Sequence, residues 1–255
     1  MSTAAIWRRA YNFMKKVKVL ALIPARAGSK GLKNKNVRTI NKIPLIAYSI
    51  LSAKKSRLID EIIVTTDSAR IASIAKEYGA SVPFARPANV SRDDSTDYET
   101  IKHALDEFKK IHKYAPEIIV HLRPTSPHRP LGIIDKCIKL LLRHSNADSL
   151  RCVTECTGAV TPYKMWNIKN EKQLSPVINL PGIKEPFNAP RQSLPKAYLQ
   201  TGTVDVVKVE TILKKRSMTG DKILAQIVEA EYALDIDDED DLKIMRAKLK
   251  NLSLS

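Results

Sequence analysis

Two groups of residues in this sequence have the types and spacing to handle a polyanion. The first lies between Pro24 and Asn36, where Arg26, Lys30, Lys33 and Lys35 are interleaved with Gly28 and Gly31. Glycine lets the backbone approach a ligand closely and turns its N–H groups inward, and the cations supply opposite charge. The apolar run Val17–Ile23 is rich in β-branched residues and leads directly into this loop. A strand opening into a cationic, glycine-bearing turn suits a nucleoside triphosphate. It is neither of the two familiar phosphate loops. Gly28 and Gly31 have two residues between them and Leu32 follows, so the P-loop spacing fails, and G-x-G-x-x-G is absent.

The second group is Asp235 and Asp237, which alternate with Leu234 and Ile236. On a strand, both carboxylates would point to one face and the apolar pair to the other. Two carboxylates one pleat apart repel unless a cation lies near them. Magnesium prefers hard oxygen ligands and takes one or two carboxylates together with phosphate oxygens and water. Asp235 and Asp237 are therefore candidate metal ligands, with Mn²⁺ able to substitute for Mg²⁺. Asp67, at the end of an earlier strand, is a further candidate. The acids Asp238 to Asp241 are assigned instead to the start of the last helix, where a negative first turn suits the helix dipole.

These residues must be brought together by the elements around them. Pro44 can open a helix running to about Lys55; Ile62–Val64 reads as a strand; Ser68 can cap the next helix. A short strand is expected near Val82–Phe84. Thr96 and Glu99 form a capping box for a helix to about Lys113. Ile118–Leu122 is a buried-type strand, Pro130 opens a helix through Leu142, and Ser149–Thr154 is another strand. This alternation predicts an α/β fold, a mostly parallel sheet with helices on both faces. Ligands in such sheets bind beyond the carboxyl ends of the strands, where the loops at Pro24–Asn36, Thr65–Asp67 and Arg123–Pro127 emerge. Residues 161–196 break the rhythm with six prolines and read as an irregular insertion or hairpin. Ala197–Val209, interrupted at Gly202, and Ile223–Val228 read as strands. Tyr232–Asp237 is expected to end a strand, and Asp238–Lys250 to form the last helix.

Composition narrows the classes. The chain has 255 residues, 44% of them hydrophobic, enough for a substantial core. No apolar run approaches a membrane span. Residues 1–16 carry Arg8, Arg9, Lys15 and Lys16 without the apolar core of a signal peptide, and read as an N-terminal extension ahead of a single domain at 17–252. Three cysteines, an odd number without metal-site spacing, point to a reducing cytoplasm. The net charge of +16 raises the question of nucleic acid, but the lysines are scattered and aromatics are only 5%, so specific nucleic-acid binding is not expected. The charge suits steering of small anionic substrates.

The stretch R-A-G-S-K-G-x-x-x-K-N at Arg26–Asn36 resembles the N-terminal signature R-G-G-S-K-G-x-x-x-K-N of the sugar-acid cytidylyltransferases, the CMP-sialic acid synthetase family, with Ala27 in place of glycine. Val64–Asp67 resembles the family's V-S-T-D, Leu122–Pro127 its L-Q-P-T-S-P, Ala189–Gln192 followed by Gly202 its P-R-Q…G, and Leu234–Asp237 its I-D-I-D metal motif. The resemblance covers about Val19 to Leu242. It implies a Rossmann-like three-layer fold with a small dimerisation element within 161–196, a homodimer, and transfer of CMP from CTP to a 2-keto sugar acid with release of pyrophosphate. In that scheme Arg26 and Lys35 hold the triphosphate, aided by Ser29 and Lys30. Lys35, Arg26 and Asp237 carry the catalysis. Asn36 and the backbone around Ala25 read cytosine, and Arg86 and Thr96 reach the nucleotide. Arg123, Lys164, Arg191 and Gln192 fall at the sugar-binding positions. Arg123 replaces the family's glutamine, which leaves the sugar open: a legionaminate, pseudaminate or Kdo-like acid is the alternative to a sialic acid. A catalytically dead, basic relative is the reading from another class, and the intact Asp235 and Asp237 weigh against it. His121, inside an apolar strand, is read as a packed core histidine.

Overall fold

A computed structural model describes residues 18–112, 114–157 and 160–250. The extension at 1–16 lies outside the described residues. In chain order the elements begin with β1 (Val19–Pro24), a small ribbon of β2 (Thr39–Ile40) and β3 (Ile43–Pro44), α1 (Leu45–Lys54), β4 (Glu61–Thr65), α2 (Ala69–Glu77) and α3 (Asp97–Ile111). There follow β5 (Ile118–His121), α4 (Ile133–Arg143), β6 (Ser149–Glu155), the hairpin β7 (Trp166–Lys169) and β8 (Gln173–Pro176), β9 (Tyr198–Lys208), α5 (Val209–Lys214), β10 (Ile223–Ile227) and α6 (Glu239–Leu249).

The central sheet has the order β10-β6-β9-β5-β1-β4. β1 runs parallel to β4 and β5, β10 parallel to β6, and β9 antiparallel to both β5 and β6. A mostly parallel sheet is covered on both faces, which is why β1 is apolar throughout. Val19, Ala21 and Ile23 enter one core with Ile46 and Ile50 of α1, Ile71 of α2 and Ile138 of α4. Leu20 and Leu22 point the other way, into a core with Ile101 and Phe108 of α3 and Ile212 of α5. A third core joins α6 to the first loop: Leu242 and Met245 pack with Leu32, Leu45 and Ile236.

The helix starts obey their sequence signals. Ser68 accepts from the Ile71 amide, Thr96 and Glu99 close a capping box, and Asp238 closes another with Asp241. Where the structure departs from expectation, local chemistry explains it. No strand forms at Val82–Phe84: Pro83 lacks an amide proton, and only Ser81 makes a bridge, to Ile63. Pro130 does not open α4; a turn through Leu131 and Gly132 (φ 72°) precedes it. Tyr232–Asp237 is not a strand end but an extended segment after a short 3₁₀ turn, attached through the Ile236 amide to the Thr125 carbonyl at 2.9 Å. The 161–196 stretch is a hairpin flanked by 3₁₀ turns and irregular chain. The expected interruption of β9 at Gly202 is a register shift against β6, where Arg151 pairs with Asp205 but Val153 pairs with Gln200. A β-carbon at Gly202 would stand 2.1 Å from Ser126 Oγ, so this position has room only for hydrogen.

Candidate active-site cleft

At the carboxyl ends of β1 and β5 lies a cleft of about 510 Å³. Arg26, Ser29, Lys30, Lys35, Asn36, Arg86, Arg123 and Asp237 all line it. Seven of these eight were assigned to the site through the resemblance, and Lys30, read from sequence chiefly as a solvated lysine, is the eighth. The first loop is clamped on all sides. The Ala25 amide donates to the Thr65 carbonyl (3.0 Å), continuing the β1–β4 ladder, and the Ala27 amide donates to Asp67 Oδ1 (2.8 Å). Asn36 Nδ2 donates to the Arg26 carbonyl (2.9 Å). Leu32 anchors the loop in the third core.

Lys35 donates to the Ile236 carbonyl (2.8 Å) and to Asp237 Oδ1 (2.9 Å), joining the glycine loop to the segment before α6. That close approach requires Gly31, whose added β-carbon would lie 2.4 Å from the Asp237 carbonyl oxygen. Asp237 remains largely open, with 79% of its side chain exposed. Asp235 lies deeper and accepts from Ser126 Oγ at 2.9 Å. Each aspartate thus engages a described partner through one oxygen only, Oδ1. Among the described residues no group of three or more His, Cys, Asp or Glu could hold a metal. Asp237 lines the cleft and Asp235 does not; magnesium takes as few as one or two carboxylates from protein, a number these two acids could supply. Asp67 uses one oxygen to hold the first loop.

The anion seat already contains a carboxylate. Asp93, from the loop before α3, accepts from Arg26 Nη1 (2.5 Å) and pairs with Lys30 Nζ (2.6 Å). The two cations hold its carboxyl below the usual range, Lys30 first and Arg26 second. Arg86 is buried, and its Nε and Nη2 have no partner among the described residues. Buried donors without acceptors are costly, so a guanidinium left this way at a cleft wall is suited to an incoming anion.

The floor of the cleft holds a charge network. Arg123 Nη1 donates to Asp205 (2.6 Å) and Nη2 to Asp97 (2.7 Å). His121 lies beneath, fully buried, its Nδ1 4.0 Å from both carboxylates. Burial, reinforced by Arg123, pushes its pKa down to about 4, so the imidazole is neutral. Asp93, Asp97 and Asp205 were missed from sequence. Asp205 left a signal, being the one acid within the apolar run Val204–Val207. Asp93 and Asp97 left none, lying among other polar residues.

Other sequence candidates do not line the cleft. Ala25 is in the core with its amide committed. Thr96 caps α3, while its neighbours Ser95 and Asp97 face the cleft. Lys164 ends a 3₁₀ turn beside the hairpin. Arg191 donates to the Cys156 carbonyl (3.3 Å) and pairs with Glu155 (3.7 Å), and Gln192 is exposed next to it.

A mostly parallel sheet whose carboxyl edge carries a cationic, carboxylate-flanked cleft defines an α/β protein of the nucleotide-handling class. Residues 20–177 match the family model described as cytidylyltransferase. The chain is 33% identical over 236 residues to post-translational flagellin modification protein B of Campylobacter coli, covering 92% of this chain and 97% of that one. It is 34% identical over 238 residues to the CMP-N,N'-diacetyllegionaminic acid synthase of Campylobacter jejuni, with the same coverage of 92% and 97%. Against the N-acylneuraminate cytidylyltransferase of Escherichia coli it is 32% identical over 229 residues, covering 90% of this chain and 51% of the other. A solved structure of CMP:2-keto-3-deoxy-manno-octonic acid synthetase complexed with CTP shares the fold, with TM-score 0.67 and 15% identity over 91% of this chain and 98% of that one. The chain belongs to the cytidylyltransferase family and is an enzyme of the nucleotidyltransferase class.

Proposed function

We propose that this enzyme transfers CMP from CTP to the anomeric hydroxyl of a sialic-acid-like 2-keto sugar acid, releasing pyrophosphate. The observation that carries the reading is the meeting of Lys35 and Asp237 in one cleft with Arg26 and Arg86. Transfer of a nucleotidyl group needs positioning and neutralisation of developing charge more than covalent help. Arg26 and Lys30 hold the triphosphate, the buried Arg86 adds its charge from the cleft lining, and Lys35 places a point charge against the reacting phosphate. Asn36 fixes the loop that surrounds the base. Arg123 faces the acceptor, where the sugar hydroxyl attacks the α-phosphorus in line with the departing pyrophosphate. Asp235 and Asp237 would hold Mg²⁺ or Mn²⁺, which when bound polarises the α-phosphate and offsets charge on the leaving group.

The hairpin supports a homodimer. Trp166, Ile168, Leu174 and Val177 are exposed there, an apolar surface out of keeping with a free monomer. Lys164, Arg191 and Gln192 adjoin it, so a partner molecule is the means by which they would reach a sugar site. The reading places the enzyme in the cytoplasm, consistent with its free thiols; no helix among the described residues is long and apolar enough to cross a membrane.

A second acceptor class, a legionaminate, pseudaminate or Kdo-like acid, is supported by the legionaminic acid synthase among the relatives, and Arg123 in place of the family's glutamine leaves the choice of sugar open. One experiment separates the readings: pyrophosphate release measured for four nucleoside triphosphates crossed with N-acetylneuraminate, N,N'-diacetyllegionaminate, pseudaminate and Kdo. Release with CTP and one of these acids is expected. Release with another triphosphate in preference to CTP, or with none of them, refutes the proposal.

A further inference from the structure

The floor of the cleft distinguishes two carboxylates that touch one guanidinium. Arg123 is fixed at its backbone, where its carbonyl accepts from Arg129 Nη2 (2.7 Å) and Ser49 Oγ (3.1 Å). It is also fixed at its tip, Nη1 on Asp205 and Nη2 on Asp97. The two acids differ in access. The Asp205 side chain is 6% exposed, sits in β9 opposite His121 and Arg151 of the flanking strands, and has its other oxygen buried without a partner among the described residues. The Asp97 side chain is 46% exposed at the first position of α3, on the cleft rim. Asp205 therefore cannot leave Arg123 without stranding a buried charge, whereas Asp97 can turn into water.

We propose that Asp205 is a positioning residue that holds Arg123 as the reader of the acceptor's carboxylate, and that Asp97 is a resident carboxylate which the acceptor displaces from Nη2. The inference rests on the sugar-acid reading above and deepens it. A guanidinium gripped on one arm by a buried acid presents its other arm in a fixed plane, and a 2-keto acid supplies the carboxylate that matches it. The exchange conserves charge, one carboxylate replacing another, so the desolvation of Arg123 is not repeated when the acceptor binds.

The two acids then have opposite effects, which a merely structural role for both would not produce. In Asp205→Asn the guanidinium is released to close both arms on Asp97, and the KM for the sugar acid rises about tenfold while that for CTP stays within about twofold. In Asp97→Asn the competitor is gone, and the KM for the sugar acid falls. The double variant Asp97→Asn/Asp205→Asn recovers part of the loss. Arg123→Lys keeps the charge but not the two-armed grip; it reproduces the Asp205→Asn split and decides the matter if Asp205→Asn does not fold. Steady-state kinetics on the unaltered enzyme, run alongside with the acid it uses best, separates failure of this contact from failure of the function. Equal rises in the KM for the sugar acid in both aspartate variants, or equal rises for CTP and sugar acid in Asp205→Asn, would overturn the proposal.

Discussion

Lys35 and Asp237 lie 202 positions apart in the sequence, and the ammonium of one rests 2.9 Å from the carboxylate of the other. This contact ties the glycine loop to the chain entering α6, and the same lysine holds the Ile236 carbonyl at 2.8 Å. The lysine proposed to face the triphosphate and the leading metal candidate are thus parts of one construction, separated from a clash only by the absence of a side chain at Gly31.

Lys35→Ala is expected to lower kcat about 10²–10³-fold, the usual effect of removing one preorganised charge or donor from a transition state. Thermal unfolding should change little, because Lys35 pairs with a largely exposed partner and Leu32 still anchors the loop. Pyrophosphate-release kinetics together with a melting curve check both halves. Unchanged kcat in a folded variant would remove Lys35 from the chemistry.

Asp93 occupies the cations that CTP is proposed to use, bridging Arg26 and Lys30. An anionic ligand must displace it. Asp93→Asn keeps the shape and removes the charge, so CTP should bind roughly threefold tighter or better in calorimetry at low salt, with the gain shrinking as salt rises. Weaker binding in the variant would mean that Asp93 supports the nucleotide rather than competing with it.

Much of this arrangement was legible in the sequence. The strand–glycine–cation order from Val19 to Asn36 marked the loop that lines the cleft, because backbone freedom and charge are local properties of the sequence. The capping residues Ser68, Thr96 and Asp238 marked three helix starts for the same local reason. The expectation failed where the outcome depended on distant neighbours. Leu234–Asp237 alternates like a strand, yet among the described residues its one backbone-to-backbone hydrogen bond is to Thr125, so it stays an extended connector. Asp97 lies at a polar helix start, and only the crossing of β5 beside β9 brings it and Asp205 to Arg123. His121 was read as a packed core histidine, and it is fully buried; its position under the cleft floor came only with the sheet order.

The buried imidazole gives a prediction for pH. His121 has its pKa pushed down from 6.5 to about 4 by burial and then by Arg123. Between these values the unfolded chain binds a proton that the folded chain excludes, so stability is complete above about pH 6.5 and declines as pH falls toward 4. The decline attributable to this residue is on the order of 3 kcal/mol across the window. His103 and His128 are shifted the same way by burial, so the contribution is isolated by comparison. Urea midpoints should fall less steeply with acidity in His121→Gln than in the parent. Parallel slopes would show that His121 already titrates normally in the folded protein.

The metal prediction follows from the two aspartates. Ile236 is buried between them and fixes the segment through its amide, while Asp237 faces the cleft and Asp235 leans on Ser126. Neither carboxylate is saturated by the contacts described, and the triphosphate held by the first loop would bring the further oxygens that Mg²⁺ requires. Chelator should therefore abolish pyrophosphate release, and Mg²⁺ or Mn²⁺ should restore it. Asp237→Asn and Asp235→Asn should be folded and nearly inactive, with weakened Mn²⁺ binding by electron paramagnetic resonance in the presence of CTP. Glu239→Gln should stay active, since Glu239, at the start of α6 and away from the cleft lining, pairs with Arg38. Asp235→Asn is the more informative variant, because its Ser126 contact can survive as a neutral hydrogen bond, leaving loss of charge at the metal as the main change. Full metal-dependent turnover in both aspartate variants would place the metal elsewhere, with Asp67 beside the first loop the next residue to substitute.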